Sequence, residues 1–251
     1  MSNISEILEK SNYIHIIKLA GEIGNKMGIK TFLVGGYIRD ALIGRKLVDI
    51  DIMVEEKVFD YSKKLAKKLG VNKTIDFKKF HTVKIPYDQC EIEVANARSE
   101  TYNDKSRKPE TVTLTTIEND LIRRDFTINA LASSIIPDTF GSLVDPFNGL
   151  VDLNKGIINT PTNPDSTFID DPLRMLRAIR FAAQLQFKIH PRIKKSITKN
   201  IQRIEIVSQE RITAEIIKIL NTNKPSIAFY LLKEVDFLKL IFPELDIMSG
   251  V

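Results

Sequence analysis

Apolar positions along this chain change their spacing several times, and each change marks an element. Residues 12–27 repeat apolar side chains at three- and four-residue steps, the period of one helical face. Thr31-Phe-Leu-Val34 is a short β-rich run that meets two glycines, after which helical spacing returns to about Ile43. The run Val48-Asp-Ile-Asp-Ile-Met-Val54 alternates and predicts a strand, and 57–69 predicts a helix stopped at Gly70. Thr82–Ile85 and Glu91–Ala97 predict two further strands, joined as a hairpin around Pro86–Gln89. Residues 99–111 are polar and charged without periodicity, which predicts a mobile loop, and Ile128–Ile136 is apolar enough for another strand. After Pro161–Pro164 helical spacing dominates, over 168–186, 191–203, 208–221 and 225–237. The expectation is an α+β chain: a mixed domain of sheet and helices over 1–160, then an all-helical domain over 161–251. There is no internal repeat and no low-complexity segment.

Composition narrows the class. With 251 residues, 43% of them hydrophobic, the chain can bury one large core or two smaller ones. A charged fraction of 27% with modest Gly and Pro weighs against disorder. The single cysteine, Cys90, excludes an intramolecular disulfide and a cysteine zinc cluster, and agrees with a reducing cytoplasm. The first residues read as an amphipathic helix instead of a signal peptide, and no apolar run approaches the roughly 18 residues needed to span a bilayer. Net charge is +5, but the stretch Asp171–Lys224 alone holds twelve Lys or Arg against four Asp or Glu. A basic last third beside a carboxylate-bearing first part suits an enzyme acting on nucleic acid; a solvated lysine-rich helical surface is the alternative.

The chemistry-bearing segments start with Leu33-Val-Gly-Gly-Tyr-Ile-Arg-Asp and Val48-Asp-Ile-Asp-Ile. Strand alternation puts Asp49 and Asp51 on one face, roughly 7 Å apart at Cβ, where they repel unless a hard divalent cation compensates. Glu91 and Glu93 share a face of the next predicted strand and offer a third carboxylate. Gly35 and Gly36 sit at a strand-to-helix turn where backbone N–H groups can approach phosphate, and Arg39 lies one turn inside the helix. In Asp120-Leu-Ile-Arg-Arg-Asp-Phe-Thr-Ile-Asn-Ala130, the groups Arg124, Asp125 and Asn129 suit a triphosphate and a ribose, or else a salt-bridged turn.

The last candidate is Ile169-Asp-Asp-Pro-Leu-Arg-Met-Leu-Arg-Ala-Ile-Arg-Phe181. Asp170 or Asp171 can cap a helix with Pro172 at its first position. Arg174, Arg177 and Arg180 then recur every third residue, about 60° apart around the axis. Asp171 with Arg174 pairs an acceptor with a fork of donors, able to read a nucleobase edge, while Arg177 and Arg180 suit phosphates. Few acidic neighbours in sequence neutralise these arginines, which favours a bound anion. His15, His81 and His190 have no ligand spacing and read as structural.

Six segments in order, LVGGYIRDALIGR with DID, EIEVANAR, DLIRRDFTINALA, LVDPFNGLVDL, IDDPLRMLRAIRFAAQL and QERITAEIIKIL, resemble the class II tRNA nucleotidyltransferases and the bacterial poly(A) polymerases over roughly 31–220. The resemblance implies a polymerase-β-like nucleotidyltransferase head followed by a helical neck that recognises the base and binds RNA. It implies two Mg²⁺ ions on Asp49 and Asp51, with Glu93 at the third acidic position. It places Gly36, Arg39 and Arg124 at the incoming nucleotide's phosphates and Asp125 and Asn129 at its ribose. Asp171 with Arg174 then reads the base, and Arg177 and Arg180 are further nucleotide contacts. Residues 99–111 resemble the family's flexible loop, which takes part in switching from C to A addition. Asp170 stands where the family usually has Glu, keeping the charge with a shorter reach. The chain reads as head and neck, shorter than full-length members.

The activity this implies is template-independent addition of CMP and AMP, from CTP and ATP, to the 3′ end of tRNA or another RNA. Addition of A alone and poly(A) tailing are alternatives within the family. Outside it stand a non-catalytic RNA-binding module, for which the acidic pair would be a liability near phosphate, and a small-molecule nucleotidyltransferase, which has no need of the arginine ladder.

Overall fold

The structure, a computed structural model, describes the backbone of residues 3–87, 90–103 and 106–248, with side chains there except over 100–112. The chain divides into two compact units, one of Met1–Glu100, Val112–Arg124 and Ile128–Gly149, the other of Thr101–Thr111, Asp125–Thr127 and Leu150–Val251.

The first unit holds helices α1 (Ser5–Glu9) and α2 (Ile14–Met27), strand β1 (Thr31–Val34), helix α3 (Gly36–Leu42), strand β2 (Ile50–Val54) and helix α4 (Val58–Lys68). Strands β3 (Ile75–Phe77), β4 (Thr82–Tyr87) and β5 (Cys90–Asn96) follow. After β6 (Arg98–Asn103) and β7 (Ser106–Leu114), which pair as a separate two-stranded sheet, come α5 (Ile117–Ile122), β8 (Ala132–Ser134) and β9 (Leu143–Val144). The main sheet has seven strands in the order β3-β4-β5-β2-β1-β8-β9. It is mixed: β2 and β5 are parallel and the other neighbours antiparallel.

Strand alternation gives this sheet two buried faces. Leu33, Ile50, Ile52, Val54, Ile92 and Val94 form one apolar row, with Ile16, Ile17, Tyr61 and Leu65 of α2 and α4 buried beside them. The Tyr61 hydroxyl donates to the Ala20 carbonyl at 2.8 Å, so this core leaves no phenol unsatisfied. On the other face Phe32, Val34 and Met53 cluster with Ile117 and Leu121 of α5 and with Ala130 and Ala132. A strand covered on both sides should be apolar throughout. β2 obeys this at every position except Asp51.

From Leu150 on, the second unit is helical apart from a parallel pair of two-residue strands. It contains α6 (Gly149–Lys155), β10 (Ile157–Ile158), α7 (Pro164–Asp170), α8 (Leu173–Leu185), β11 (Lys188–Ile189), α9 (Pro191–Asn200), α10 (Gln209–Leu220), α11 (Pro225–Glu234), α12 (Leu238–Ile241) and α13 (Pro243–Ile247). Proline opens α7, α9 and α11, where its missing N–H costs nothing. The side chains of Asn163 and His190 cap α7 and α9. That capping bond gives His190 the structural role expected of it. The core runs along α8, whose Met175, Leu176, Ala178 and Ile179 are fully buried, and α10 and α11 add Ile219, Ala228 and Leu232.

Several elements differ from the sequence expectation. Residues 99–111 are not loop: the described backbone there is extended and paired as β6 and β7, a two-stranded sheet separate from the seven-stranded one, and its polar sequence lacks the apolar alternation that marks a strand. Residues 104–105, within that span, lie outside the described residues, as do 88–89 in the predicted hairpin turn. Ile128–Ile136 is not one strand but a 3₁₀ turn over Thr127–Asn129 followed by β8. The helix expected over 168–186 is two helices, because Asp171 is extended ahead of Pro172, which disfavours helical geometry in the residue before it. β2 starts at Ile50, so Asp49 lies just ahead of the strand.

Candidate functional site

The acidic row is built by sheet register. Asp51 pairs directly with Glu93 across the parallel β2–β5 ladder, and Glu93 pairs with Lys84 on β4. Directly paired residues share a face, so Asp51, Glu93 and Lys84 line up side by side. Asp49 joins from the loop edge, its Oδ1 3.4 Å from the Glu91 N–H. Lys84 Nζ reaches the Glu91 carboxylate and lies 3.9 Å from Glu93; the Glu91 hydrogen bond raises the Lys84 pKa.

Burial and crowding of like charge set the chemistry of Asp51. Desolvation is the larger cause and the Glu93 carboxylate the next; together they push Asp51 up to about 6, although Arg124 pulls the other way. No group of three or more His, Cys, Asp or Glu is drawn into metal-ligating geometry among the described residues. Two carboxylates are nevertheless a sufficient protein donor set for a magnesium-like ion, which takes its other ligands from water and phosphate. A cation there would relieve the repulsion that raises Asp51.

A cavity of about 190 Å³ joins Asp51 and Glu93 to Thr82, Arg98, Arg123 and Arg124. Its basic wall is held from beneath by Asp120, which is completely buried and accepts from Arg123 and from Arg124 at 3.2 and 3.3 Å. Arg124 also points Nη1 at the Asn129 carbonyl, 3.5 Å away. Gly35 makes room for it. Its φ is +62°, and a Cβ there would stand 2.6 Å from Arg124 Nη1. The Gly35 N–H donates to the Leu131 carbonyl at 2.9 Å. The glycine therefore serves the close approach of a guanidinium, and its own N–H is occupied by protein.

Arg39 is only 5% exposed. Its guanidinium donates to Asp40 at 2.7 and 2.9 Å and to Asn129 Oδ1 at 2.7 Å. The structure thus brings Gly35, Gly36, Arg39, Asp51, Glu93, Arg124 and Asn129 into one neighbourhood of the first unit, with Arg39 acting as a strut for Asn129.

In the second unit the arginine ladder is not short of carboxylates. Arg177 is paired with Asp125, which raises the arginine's pKa, and lies 3.9 Å from Glu215. Arg180 donates to Glu215 at 2.6 Å and to Gln184 at 2.7 Å; burial lowers its pKa. Glu215 is itself buried, which pushes it up, but Arg180, Lys218 and Arg177 outweigh this and its pKa ends below the ordinary value. The expectation of unneutralised arginines fails because the partners come from positions 52 and 35 residues away in the chain. The Asp171 carboxylate takes a two-pronged contact from Arg211 at 2.9 and 3.3 Å and caps Leu173, while Arg174 reaches the Thr167 carbonyl at 3.5 Å. Sequence reading gave no role to Asp120, Arg211 or Glu215. The signal lies in the segments DLIRRDF and QERITAEIIKIL, where Asp120 stands three and four residues before Arg123 and Arg124, and Glu215 four after Arg211.

Comparison with known proteins gives two family matches, "Poly A polymerase head domain" over 31–159 and "Probable RNA and SrmB- binding site of polymerase A" over 186–248. An A-adding tRNA nucleotidyltransferase of Aquifex aeolicus is 42% identical over 161 residues, 64% of this chain and 19% of that one. A CCA-adding enzyme of Lactobacillus johnsonii is 37% identical over 197 residues, 78% of this chain and 47% of that one. A Thermotoga maritima CCA-adding enzyme complexed with tRNA superposes with a TM-score of 0.85 at 31% identity, covering 97% of this chain and 56% of that one. The chain therefore spans about half the length of the CCA-adding enzymes it matches.

Proposed function

This chain belongs to the poly(A) polymerase head-domain family, and from that premise we propose that it is a template-independent RNA nucleotidyltransferase, adding CMP and AMP from CTP and ATP to the 3′ end of tRNA. The observation that carries the proposal is the register of Asp51 with Glu93 on one wall of a cavity whose other wall is Arg124, clamped by Asp120. Carboxylates facing arginines across a phosphate-sized space suit phosphoryl transfer, which needs positioning and charge stabilisation and no nucleophilic side chain.

Nucleotidyltransferases of this kind generally use divalent metal. We assign Mg²⁺, two ions, to Asp49 and Asp51, with Glu93 as the third carboxylate. Bound there, the ions would lower the pKa of the attacking 3′-hydroxyl and neutralise charge on the phosphates. Arg124 carries the phosphates, held at its Asp120 anchor and admitted by Gly35, with Gly36 lining the same turn. Arg39 acts through Asn129, fixing an amide that the family resemblance puts at the ribose. In the second unit Asp171 and Arg174 are assigned to the base, and Asp125, Arg177 and Arg180 to the remaining nucleotide contacts. Residues 1–160 are then the catalytic head and 161–251 the neck. Two ion pairs, the part-buried Arg177–Asp125 and the buried Arg180–Glu215, keep the neck arginines preorganised. The reading places the enzyme in the cytoplasm, in keeping with its single cysteine and its bacterial relatives.

The 42% identity to an A-adding enzyme favours a second reading, addition of A alone to tRNA already ending in CC. Labelled CTP and ATP, given separately and together with tRNA lacking CCA, separate the two. C incorporation followed by A, abolished by a chelator, supports the first; incorporation from ATP alone, and only on tRNA ending in CC, supports the second.

A further inference from the structure

The edge strand β3 continues the row that carries the carboxylates. Its register pairs Ile75 with Lys84 and Phe77 with Thr82, while β4 in turn pairs Lys84 with Glu93 and Thr82 with Ala95. Because directly paired residues share a face, Ile75 stands in one line with Lys84, Glu93 and Asp51, three strands away. At about 4.8 Å per strand the line is roughly 14 Å long. Phe77 occupies the next line, beside Thr82, which with Asp51 and Glu93 lines the catalytic cavity.

This end of the face is open. Ile75, Phe77 and Phe80 are 52%, 40% and 47% exposed, an unusual concentration of large apolar side chains over six residues. Phe80 is fixed next to the cavity by its carbonyl, which accepts from Arg98 and from Thr82 Oγ1 at 3.2 Å. Between the two phenylalanines lie the exposed Lys78 and Lys79, which form no ion pair among the described residues, and Lys84 closes the row. Exposed aromatic rings interleaved with cations are what a single strand of nucleic acid binds: bases stack on the rings and phosphates answer the lysines.

We propose that the face formed by Ile75, Phe77, Phe80 and the lysines 78, 79 and 84 is the platform for the 3′-terminal single-stranded nucleotides of the RNA substrate, leading its 3′-hydroxyl along the sheet to Asp51. The proposal deepens the nucleotidyltransferase reading and rests on it. Charge complementarity and continuity with the acidic row select RNA over a peptide strand added to the β3 edge, which would use backbone groups and leave the rings unstacked.

The chain contains no tryptophan, so Phe77→Trp installs a unique fluorophore at an exposed position. Titrating this variant with a short RNA ending in CC is expected to quench its emission saturably, with the quench weakening as salt rises. In parallel, Phe77→Ala and Phe80→Ala are each expected to raise KM for RNA by roughly tenfold and to leave KM for the nucleotide unchanged. An unquenched tryptophan, or a KM for RNA that stays at the wild-type value, overturns the platform. Quenching by RNA in a chain that transfers no nucleotide keeps the platform and rejects the enzyme reading; transfer without quenching does the reverse.

Discussion

Asp51 is the one half-buried residue of β2, and desolvation of its carboxylate, with Glu93 beside it, pushes its pKa up to about 6. A carboxylate whose folded pKa lies above its unfolded value lowers stability while it is ionised, and the deficit fades as pH falls through about 6 into the ordinary carboxylate range. Asp51→Asn should therefore stabilise the metal-free protein at pH 8 by on the order of 1 kcal/mol and change little at pH 4. The same variant should lose at least about 10³-fold in transfer, since metal-held charge stabilisation contributes several kcal/mol. Thermal melts in chelator check the first claim, and a lower Tm at pH 8 contradicts it. Gly35→Ala forces a Cβ into positive φ and against Arg124, so we expect a cost of about 1–3 kcal/mol and a loss of transfer larger than the loss of fold. Urea denaturation and turnover of the folded fraction separate the two. The shared face of Asp51 and Glu93 was legible from strand alternation, and so was the turn at Gly35, but not that Gly35 makes room for Arg124, a contact that only the fold creates. Asp120 was not legible, because a buried carboxylate bridging two arginines looks in sequence like any acid on a helix.

At the scale of elements, α10 clamps α8 through Glu215, which serves Arg180 and Lys218 and lies near Arg177. Removing one partner of a buried pair leaves the other charged and unsolvated. Glu215→Ala should therefore cost about 3–5 kcal/mol, with Glu215→Gln less damaging because the amide can still accept a hydrogen bond. Equal midpoints for the two variants in urea would contradict this. Helix spacing marked α4, α9, α10 and α11 within a few residues, because a buried stripe repeats every three to four positions, and it missed the short α6, α12 and α13. It could not show the break at Asp171, which depends on a proline's effect on the preceding residue. Nor could it find β6 and β7, whose sequence lacks the apolar alternation of a half-buried strand.

For the molecule as a whole, the uneven charge makes a prediction about binding. Net charge is +5, yet Asp171–Lys224 carries an excess of basic over acidic residues greater than that. RNA affinity should fall linearly with log salt, at a slope of about −0.7 per phosphate contacted on single strands and an overall slope of about −2 or steeper. Fluorescence anisotropy across a salt series measures it, and a flat dependence would show that charge is not what holds the RNA. Family membership was the most legible property at this scale, because six short segments in fixed order are hard to match by chance. The pairing of second-unit arginines with Asp125 and Glu215 was the least legible, since it joins residues that only the fold brings together.

The most direct measurement is single-turnover transfer of labelled CMP and AMP onto tRNA lacking CCA, with wild type and Asp51→Asn side by side at matched folding. The expected result is stepwise extension by the wild type with Mg²⁺, none with chelator, and at least a 10³-fold slower rate for the variant. Extension by Asp51→Asn at the wild-type rate would contradict the assignment of the acidic row as the catalytic centre.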